Sequence, residues 1–456
     1  MYLQAVGILV LFLIFSGLMM TRRLPALLAL PSMAVIIAAI AGMPLRAILD
    51  QVLEAGAMRL STPIAAVIFG GMLAQVVRRT GVAEALVKRA AELSGDNLVV
   101  VSLAIAAACV LLFMTLSGLG AVILVASLAL PVLLAVGVRP LAAGALLLMS
   151  IGVGGLLNVA NWAFYMKAFG LTQGEVRTFA LALFLPGLIA VGLFVAIDVA
   201  ARGRRAMWAE VTETRSPRVG ALSYVTPLLP VALVLLPPVV LRPLLRAYGE
   251  ALPNLGELLE WDFPIVPAML TGVLWGVITA KRPREGRVQL LSASVIEGIK
   301  DVAPAVGLMM GIGMLFLSVS SDPVKACLIH EDPTTHVVSG PLAVFRITSP
   351  LGYVLLWGLL APLALYRGPL NVWGMGIGIA GVLVTGGVLP AGAAMAALMS
   401  VGQIQGICDP TNTHNVWIAS TLNVEVQDLL KRTLAYAWGL AVVGLCVGAA
   451  MFLRAG

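Results

Sequence analysis

Long apolar runs follow one another through the whole sequence and restrict what it can fold into. Most of them approach the roughly 20 residues that a helix needs to cross a membrane. Apolar residues make up 60% of the 456 positions and charged residues only 11%, whereas soluble domains have about 50% and 25%. The composition excludes a soluble, disordered or nucleic-acid-binding protein and predicts an all-α polytopic membrane protein. The fourteen runs are 2–20, 25–42, 62–77, 98–116, 121–138, 141–157, 178–200, 222–241, 263–280, 302–320, 350–366, 370–388, 391–408 and 433–453.

The distribution of charge between the runs predicts the orientation in the membrane. The stretches 201–221 and 281–300 are each rich in Lys and Arg, which favour the cytoplasmic side. The intervening stretch 242–262 is acidic and suits the outside. Counting runs backwards places the N-terminus outside. No basic residue precedes the run 2–20, so we interpret it as a retained helix and not as a signal peptide. The net charge of +7 is then topological.

The two halves of the sequence share short motifs in the same order, which indicates a duplicated unit. Each unit holds seven runs, an odd number, so the second copy must be inverted, as in many secondary transporters. We therefore predict an N-terminal repeat at 1–205, a cytoplasmic linker at 206–221 and a C-terminal inverted repeat at 222–456. The matches are Gly71–Leu73 with Gly313–Leu315, Gly137–Pro140 with Gly387–Pro390, Leu148–Ser150 with Leu398–Ser400, Gly152 with Gly402, and Asn158/Asn161 with Asn412/Asn415.

Two polar interruptions lie at matching places within apolar stretches of about 40 residues. We name them tip 1, Ser117–Gly120, and tip 2, Arg367–Asn371. Each stretch is either a pair of full spans with a tight turn or a re-entrant hairpin, and charge does not separate the two. Glycine at a tip allows close backbone approach to a ligand. Arg367 is either a site residue or a loop residue whose charged end reaches water.

A second matching pair of interruptions predicts broken helices. We name them break 1, Gly154–Asn161, and break 2, Gly402–Asn415. In break 2, Pro410 removes a backbone donor, so carbonyl oxygens are freed beside Asn and Thr side chains. Such oxygens suit Na⁺, and the N–H groups that begin a half-helix suit a carboxylate. Asp409 is the acid of this run and is predicted to hold a cation or a proton. The structural alternative is that these polar side chains only bond neighbouring helices.

Sequence motifs for other chemistry are missing. The four cysteines are dispersed, there is no HExxH motif and no ATP-binding P-loop. We expect no cofactor other than bound Na⁺ and no enzymatic activity. An intramembrane enzyme is the alternative from another class, with His414 as its deep histidine.

This layout resembles the ion transporter superfamily, which includes citrate, dicarboxylate, gluconate and lactate permeases and related sodium–proton antiporters. In its divalent-anion symporters, Ser-Asn-Thr motifs occupy two hairpin tips, and a broken helix follows each. Here the breaks follow in the same way, although neither tip reads Ser-Asn-Thr. The resemblance implies re-entrant hairpins, roughly 11–14 membrane segments and a homodimer.

We therefore predict a secondary active transporter of the bacterial inner membrane that moves a small organic anion with Na⁺ or H⁺. The anion is a di- or tricarboxylate or a sugar acid. A sodium–proton antiporter with Asp409 as the exchanging acid is the alternative. The expected partners are the anion, the cation and the lipid bilayer, and no nucleic acid. The predicted substrate-binding residues are Ser117, Gly118, Asn158, Asn161, Arg367, Gly368, Asn371, Asn412 and Asn415, and the predicted ion-coupling residues are Asp409, Thr411 and Thr413.

Overall fold

The first half of the chain folds almost entirely into helices. The computed structural model describes residues 2–95, 97–200, 219–243, 262–281, 286–328, 330–331, 338–339 and 349–453. The helices up to residue 200 are α1 (Tyr2–Met20), α2 (Ala26–Ile40), α3 (Leu45–Arg79, with a π-helical turn at Ile48–Glu54), α4 (Val82–Ser94), α5 (Leu98–Phe113), α6 (Leu119–Ala135), α7 (Pro140–Leu156), α8 (Val159–Phe169) and α9 (Gln173–Ala200).

The second half is helical in the same way. A 3₁₀ turn at Ala221–Val225 precedes its first helix, and one pair of antiparallel two-residue strands joins β1 (His330–Glu331) to β2 (Val338–Ser339). The helices are α10 (Leu229–Leu236), α11 (Ile265–Thr279), α12 (Arg287–Val319), α13 (Asp322–Leu328), α14 (Pro350–Leu360, continued by a 3₁₀ turn at Ala361–Arg367), α15 (Gly376–Thr385), α16 (Ala391–Cys408), α17 (Thr413–Leu422) and α18 (Val426–Phe452).

These helices confirm the predicted class, an all-α polytopic membrane protein. In the part of the chain that the structure describes, seven helical stretches are long and apolar enough to cross a membrane, and the bent pair α7–α8 makes an eighth. Six further apolar helices are shorter. Each of the fourteen runs overlaps one of these helices. The loop arginines of 201–218 and the acidic residues of 244–261 lie outside the described residues, so the orientation stays a prediction.

Two compact units divide the chain, and both draw on both halves of the sequence. Unit A comprises Met1–Ser61, Phe164–Ala190 and Pro304–Gly456. Unit B comprises Thr62–Ala163 and Val191–Ala303. The boundaries predicted at residues 205 and 222 concern repeats in the sequence, and they stay a prediction.

Backbone contacts at glycines support the duplication. The match of Gly71 with Gly313 also relates Gly56 to Gly298, at the same offset. In unit A, Gly56 lies so close to Met314 that an added Cβ would stand 2.6 Å from its Cα, and Gly313 touches Gly56. In unit B, an added Cβ on Gly71 would stand 2.6 Å from the Gly298 carbonyl. The same pair of repeat positions therefore makes a backbone contact in each unit. The inverted relation of the repeats stays a prediction.

The arms of the second hairpin are short for membrane spans, and Pro350–Arg367 reaches spanning length only when its 3₁₀ turn is counted with α14. We name α5 to α6 hairpin 1 and α14 to α15 hairpin 2. Helix α14 has 11 residues and α15 has 10. At 1.5 Å per residue these helices rise roughly 16 Å, about half of the roughly 30 Å hydrocarbon layer. The 3₁₀ turn extends the first arm only to Leu365, where the backbone leaves helical geometry. The re-entrant alternative is therefore favoured for hairpin 2.

Burial separates central helices from lipid-facing ones. In the stretch Ala391–Leu422, 83% of the most apolar window is buried, against 28% in α1. Leu3 and Leu13 of α1 are 86% and 73% exposed. Exposed leucines on a membrane helix suit contact with lipid tails. The polar break 2 thus lies on one of the most enclosed helices of unit A.

Candidate functional site

Break 2 interrupts the membrane helix where Pro410 predicts it. Helix α16 ends at Cys408 and α17 begins at Thr413. The last carbonyls of a helix have no partner within that helix. Here side chains from the far side of the break donate to three of them, so the freed carbonyls are capped. The bonds run from Asn412 Nδ2 to Gln405 O (2.7 Å), from Asn415 Nδ2 to Ile407 O (3.1 Å), and between His414 Nε2 and Gly406 O (3.2 Å).

Asp409 joins break 2 to tip 2. Its carboxylate is fully buried. Oδ1 accepts from the N–H (2.9 Å) and hydroxyl (2.7 Å) of Thr411 and from the N–H of Tyr366 (3.1 Å). Oδ2 accepts from the N–H of Arg367 at 3.4 Å. Four donors around one carboxylate hold the two segments together.

The backbone at tip 2 adopts an unusual conformation. Tyr366 and Arg367 have φ of 54° and 56°, a region that residues other than glycine enter rarely. Successive N–H groups in such turns point the same way and form an anion-binding concavity. The Asp409 carboxylate accepts from both of these N–H groups. Asn371 is also buried and donates from Nδ2 to the Ala364 carbonyl at 3.2 Å.

Gln405 makes a contact that the sequence did not predict. Its Oε1 accepts from the Val372 N–H at 2.8 Å, which ties α16 to the residue directly after tip 2. A glutamine inside an apolar helix was the available signal, since such side chains need a partner. The buried Oδ1 of Asn415 has no hydrogen-bond partner among the described residues. Break 2 therefore keeps an acceptor free.

Break 1, in unit B, is built on the same plan. Helices α7 and α8 meet at 54° around Asn158. Asn158 is buried, and both its amide nitrogen and its amide oxygen are hydrogen-bonded. It connects the break to the end of α5. Its side chain acts as a structural connector. Its bonds run from Nδ2 to Phe113 O (3.1 Å) and Leu116 O (3.2 Å) and from the Ala160 N–H to Oδ1 (3.1 Å); Asn161 Nδ2 caps Gly155 O (3.1 Å) and Trp162 Nε1 caps Leu156 O (2.7 Å).

Tip 1 contacts an acid that is not among the predicted site residues. Gly118 has φ of 88°, which favours glycine. Gly120 lies so close to Asp301 that a side chain there would collide with the carboxylate. Asp301 accepts from Gln75 Nε2 at 2.5 Å. The hydroxyl of Ser117 is buried and has no partner within the described part of the chain. Asp301 precedes the run 302–320 by one residue, which was the available signal.

The two breaks differ in the charge they present. The first N–H groups of a helix carry partial positive charge. At α8 these groups are used, because Asn158 accepts from Ala160, Asn161 and Trp162. At α17 the N–H groups of residues 413–415 bond to none of the described residues. The half-buried Arg367 guanidinium also bonds to none of them, and its backbone is attached to break 2. Break 2 therefore combines unused helix N–H groups and a guanidinium with the Asp409 carboxylate, whereas break 1 carries no charged side chain.

The predicted site residues fall into two groups. The residues in unit B are Ser117, Gly118, Asn158 and Asn161, and those in unit A are Arg367, Gly368, Asn371, Asp409, Thr411, Asn412, Thr413 and Asn415. Thr413 is exposed, and Gly368 packs against the Leu363 carbonyl. The pairing of the two groups into one site stays a prediction.

Comparison with solved structures identifies the fold. No protein-family model matches the chain, and no curated protein is similar to it in sequence. The YdaH transporter of Alcanivorax borkumensis superposes with a TM-score of 0.57 at 17% identity, over 89% of this chain and 87% of that one. MtrF of Neisseria gonorrhoeae, described among antimetabolite efflux pumps, gives 0.59 at 12% identity over 94% and 95%. The chain therefore shares the fold of two membrane transporters over nearly its full length.

Proposed function

We propose that this chain is a secondary active transporter of the bacterial inner membrane that moves a small organic anion together with Na⁺ or H⁺. One observation carries the proposal. In each unit, a hairpin is hydrogen-bonded to a break in a membrane helix, through Asp409 in unit A and Asn158 in unit B. Polar, irregular backbone inside a membrane is tolerated where it lines a cavity or is buried in protein. In transporters such breaks form the substrate and ion sites.

The chemistry of break 2 supports an anionic substrate. A carboxylate would accept from the N–H groups that begin α17, where the helix dipole favours negative charge. The Arg367 guanidinium would supply a bidentate partner, because its planar fork matches a carboxylate. A di- or tricarboxylate or a sugar acid offers several such groups. Asn412 and Asn415 each direct their amide nitrogen to a helix carbonyl, so they would offer their oxygens to substrate hydroxyls.

The fold shared with YdaH and MtrF supports transport as the activity. MtrF is described among efflux pumps, so export is one direction that this proposal admits. The finer assignment, a member of the ion transporter superfamily that works as a homodimer, rests on the resemblance of the sequence layout. The sodium–proton antiporter would need Asp409 to exchange its donors for a cation, although all four are in place.

A binding screen on the purified protein tests the substrate class. Citrate, succinate and gluconate are added with and without Na⁺, and thermal unfolding is followed. A ligand at 100 times its Kd stabilises the folded protein by about 2.7 kcal/mol, a shift that such a scan detects. We expect one of these acids to stabilise the wild type and not to stabilise the Arg367→Gln variant.

Arg46→Gln is the matched control. Arg46 is almost fully exposed on α3 and, among the described residues, pairs only with Asp50 one turn away. This variant loses one positive charge as Arg367→Gln does, and it should respond to the acid as the wild type does. Equal responses of wild type, Arg46→Gln and Arg367→Gln would exclude Arg367 from the site. If no organic anion stabilises the protein, and cation flux occurs without any organic anion, the antiporter is supported.

A further inference from the structure

Asp301 is an acid within a membrane helix whose role the proposed site does not explain. It lies on α12 where the apolar run 302–320 begins, and it is half-buried. Its hydrogen-bond partner is Gln75 of α3, which donates from Nε2 to Oδ2 at 2.5 Å. Ionisable residues at such positions are costly in the membrane and usually functional. The two side chains belong to unit B.

Gln75 supplies an independent sign of a ligand. The residue is 2% exposed, so its carboxamide is closed off from solvent. The oxygen Oε1 of that carboxamide is buried and has no hydrogen-bond partner in the described part of unit B. A buried acceptor without a partner destabilises the folded protein. A cation, or a proton carried by the neighbouring carboxylate, would satisfy it.

None of the charged side chains described around Asp301 is bonded to it. Arg78 and Arg79, one turn further along α3, bond to Glu297 at 2.5 and 2.6 Å. Lys300, the neighbour of Asp301 on α12, is exposed. Hairpin 1 contributes the glycines of tip 1 and the hydroxyl of Ser117, none of which carries charge. Among the residues that the structure describes, Asp301 therefore has a neutral amide as its bonded partner.

We infer that Asp301 and Gln75 form the binding site for the coupling cation, at the tip of hairpin 1. A proton would bind one carboxylate oxygen of Asp301. The protonated acid would then donate a hydrogen bond to Gln75 Oε1 once the amide group flips. Na⁺ would take the carboxylate and the amide oxygen as ligands. In either case the bound cation would neutralise the Asp301 carboxylate, which lies against Gly120. Cation binding would therefore affect the position of hairpin 1. This inference rests on the proposed function for its coupling role.

The corresponding position of the other repeat carries the opposite charge. The offset that relates Gly71 to Gly313 relates Arg59 to Asp301. Arg59 lies in unit A with its guanidinium 4.8 Å from the centre of the Phe316 ring, a cation–π contact. The duplicated scaffold thus bears an acid in one copy and a base in the other. The cation site is accordingly expected once per chain and not twice.

Proteoliposomes containing the full chain test this inference with Asp301→Asn. Gradient-driven uptake is measured once against Na⁺ at fixed pH and once against pH without Na⁺. Counterflow of the solute, which needs no gradient, is measured beside it. We expect uptake by Asp301→Asn to lose its dependence on either Na⁺ or pH while counterflow persists. The dependence that is lost identifies the coupling cation. Asp322→Asn, an exposed acid paired with Lys325, is the matched control and should behave as the wild type does.

Gln75→Leu provides a second measurement if Asp301→Asn fails to fold. It removes the buried oxygen at similar volume, so the cation concentration needed for half-maximal uptake should rise. Wild-type cation dependence in either variant would overturn the inference. If the wild type itself accumulates no solute, the proposed transport function fails instead. Stabilisation of the purified protein by Na⁺ or by lower pH, lost in Asp301→Asn, would then still support the site.

Discussion

Replacing Asp409 by Asn separates two roles for this carboxylate, the positioning of tip 2 and the coupling of a cation. An amide keeps one oxygen, which can serve the three donors now on Oδ1, including the N–H of Tyr366. Its NH₂ then faces the N–H of Arg367, the longest bond of the four at 3.4 Å. One donor opposing another in a buried place costs about 1–3 kcal/mol.

Asp409→Ala should cost more, because every one of these donors loses its acceptor. With about 1 kcal/mol for each of the four donors, the loss is about 4 kcal/mol. Thermal unfolding of the two variants in the same detergent should therefore rank them below the wild type, with Asp409→Ala lowest. Uptake by Asp409→Asn should show weaker substrate affinity, since tip 2 is less firmly held, and an unchanged dependence on the cation.

The opposite pattern would refute this reasoning. If Asp409 is the coupling acid, Asp409→Asn should unfold at the wild-type temperature and lose its response to the cation, while counterflow persists. Thr411→Val is a matched control, because it removes one hydroxyl bond to Asp409 and leaves the carboxyl group in place. A positioning role predicts a small loss of stability in this variant, whereas a pure coupling role predicts none.

Three further changes follow from the same contacts. Arg367→Lys keeps the charge but not the bidentate fork, so the apparent affinity for the organic anion should fall severalfold in uptake assays, and an unchanged affinity would remove it from the site. Asn158→Ala leaves the carbonyls at the end of α5 without a donor, so thermal unfolding should show a loss of about 1–3 kcal/mol. Gly154→Ala places a Cβ 2.7 Å from the Val110 carbonyl, so it should lower stability more than Gly192→Ala, where the space is open.

The membrane class and the places of the helices follow from the sequence because each run is a local property. The runs predict where helices occur, and the helix breaks fall at Asn158 and after Cys408 as the interrupted pattern indicates. The breaks are predictable because Pro410 and the glycines act within one turn of their own position. The short arms of hairpin 2 were not predictable, since their boundary depends on the conformations of Leu365 and Tyr366.

The bonding within the site is a tertiary property, which a single sequence does not reveal. Asn158, Asn412 and Asn415 were predicted as ligands for the substrate, and their amide groups cap carbonyls at the helix ends. His414, the deep histidine of the enzyme alternative, bonds the Gly406 carbonyl. Asp301 was overlooked because it stands next to Lys300 and resembles the end of a charged loop.

Accumulation of an organic anion against its gradient tests the central claim most directly. Proteoliposomes with the purified chain receive a labelled carboxylate that stabilises the protein in the screen, under an imposed Na⁺ or proton gradient. The account predicts accumulation above the external concentration, collapse when the gradient is dissipated, and loss of substrate affinity in Arg367→Gln. Equilibration of the solute without accumulation under either gradient, in both membrane orientations, would contradict it.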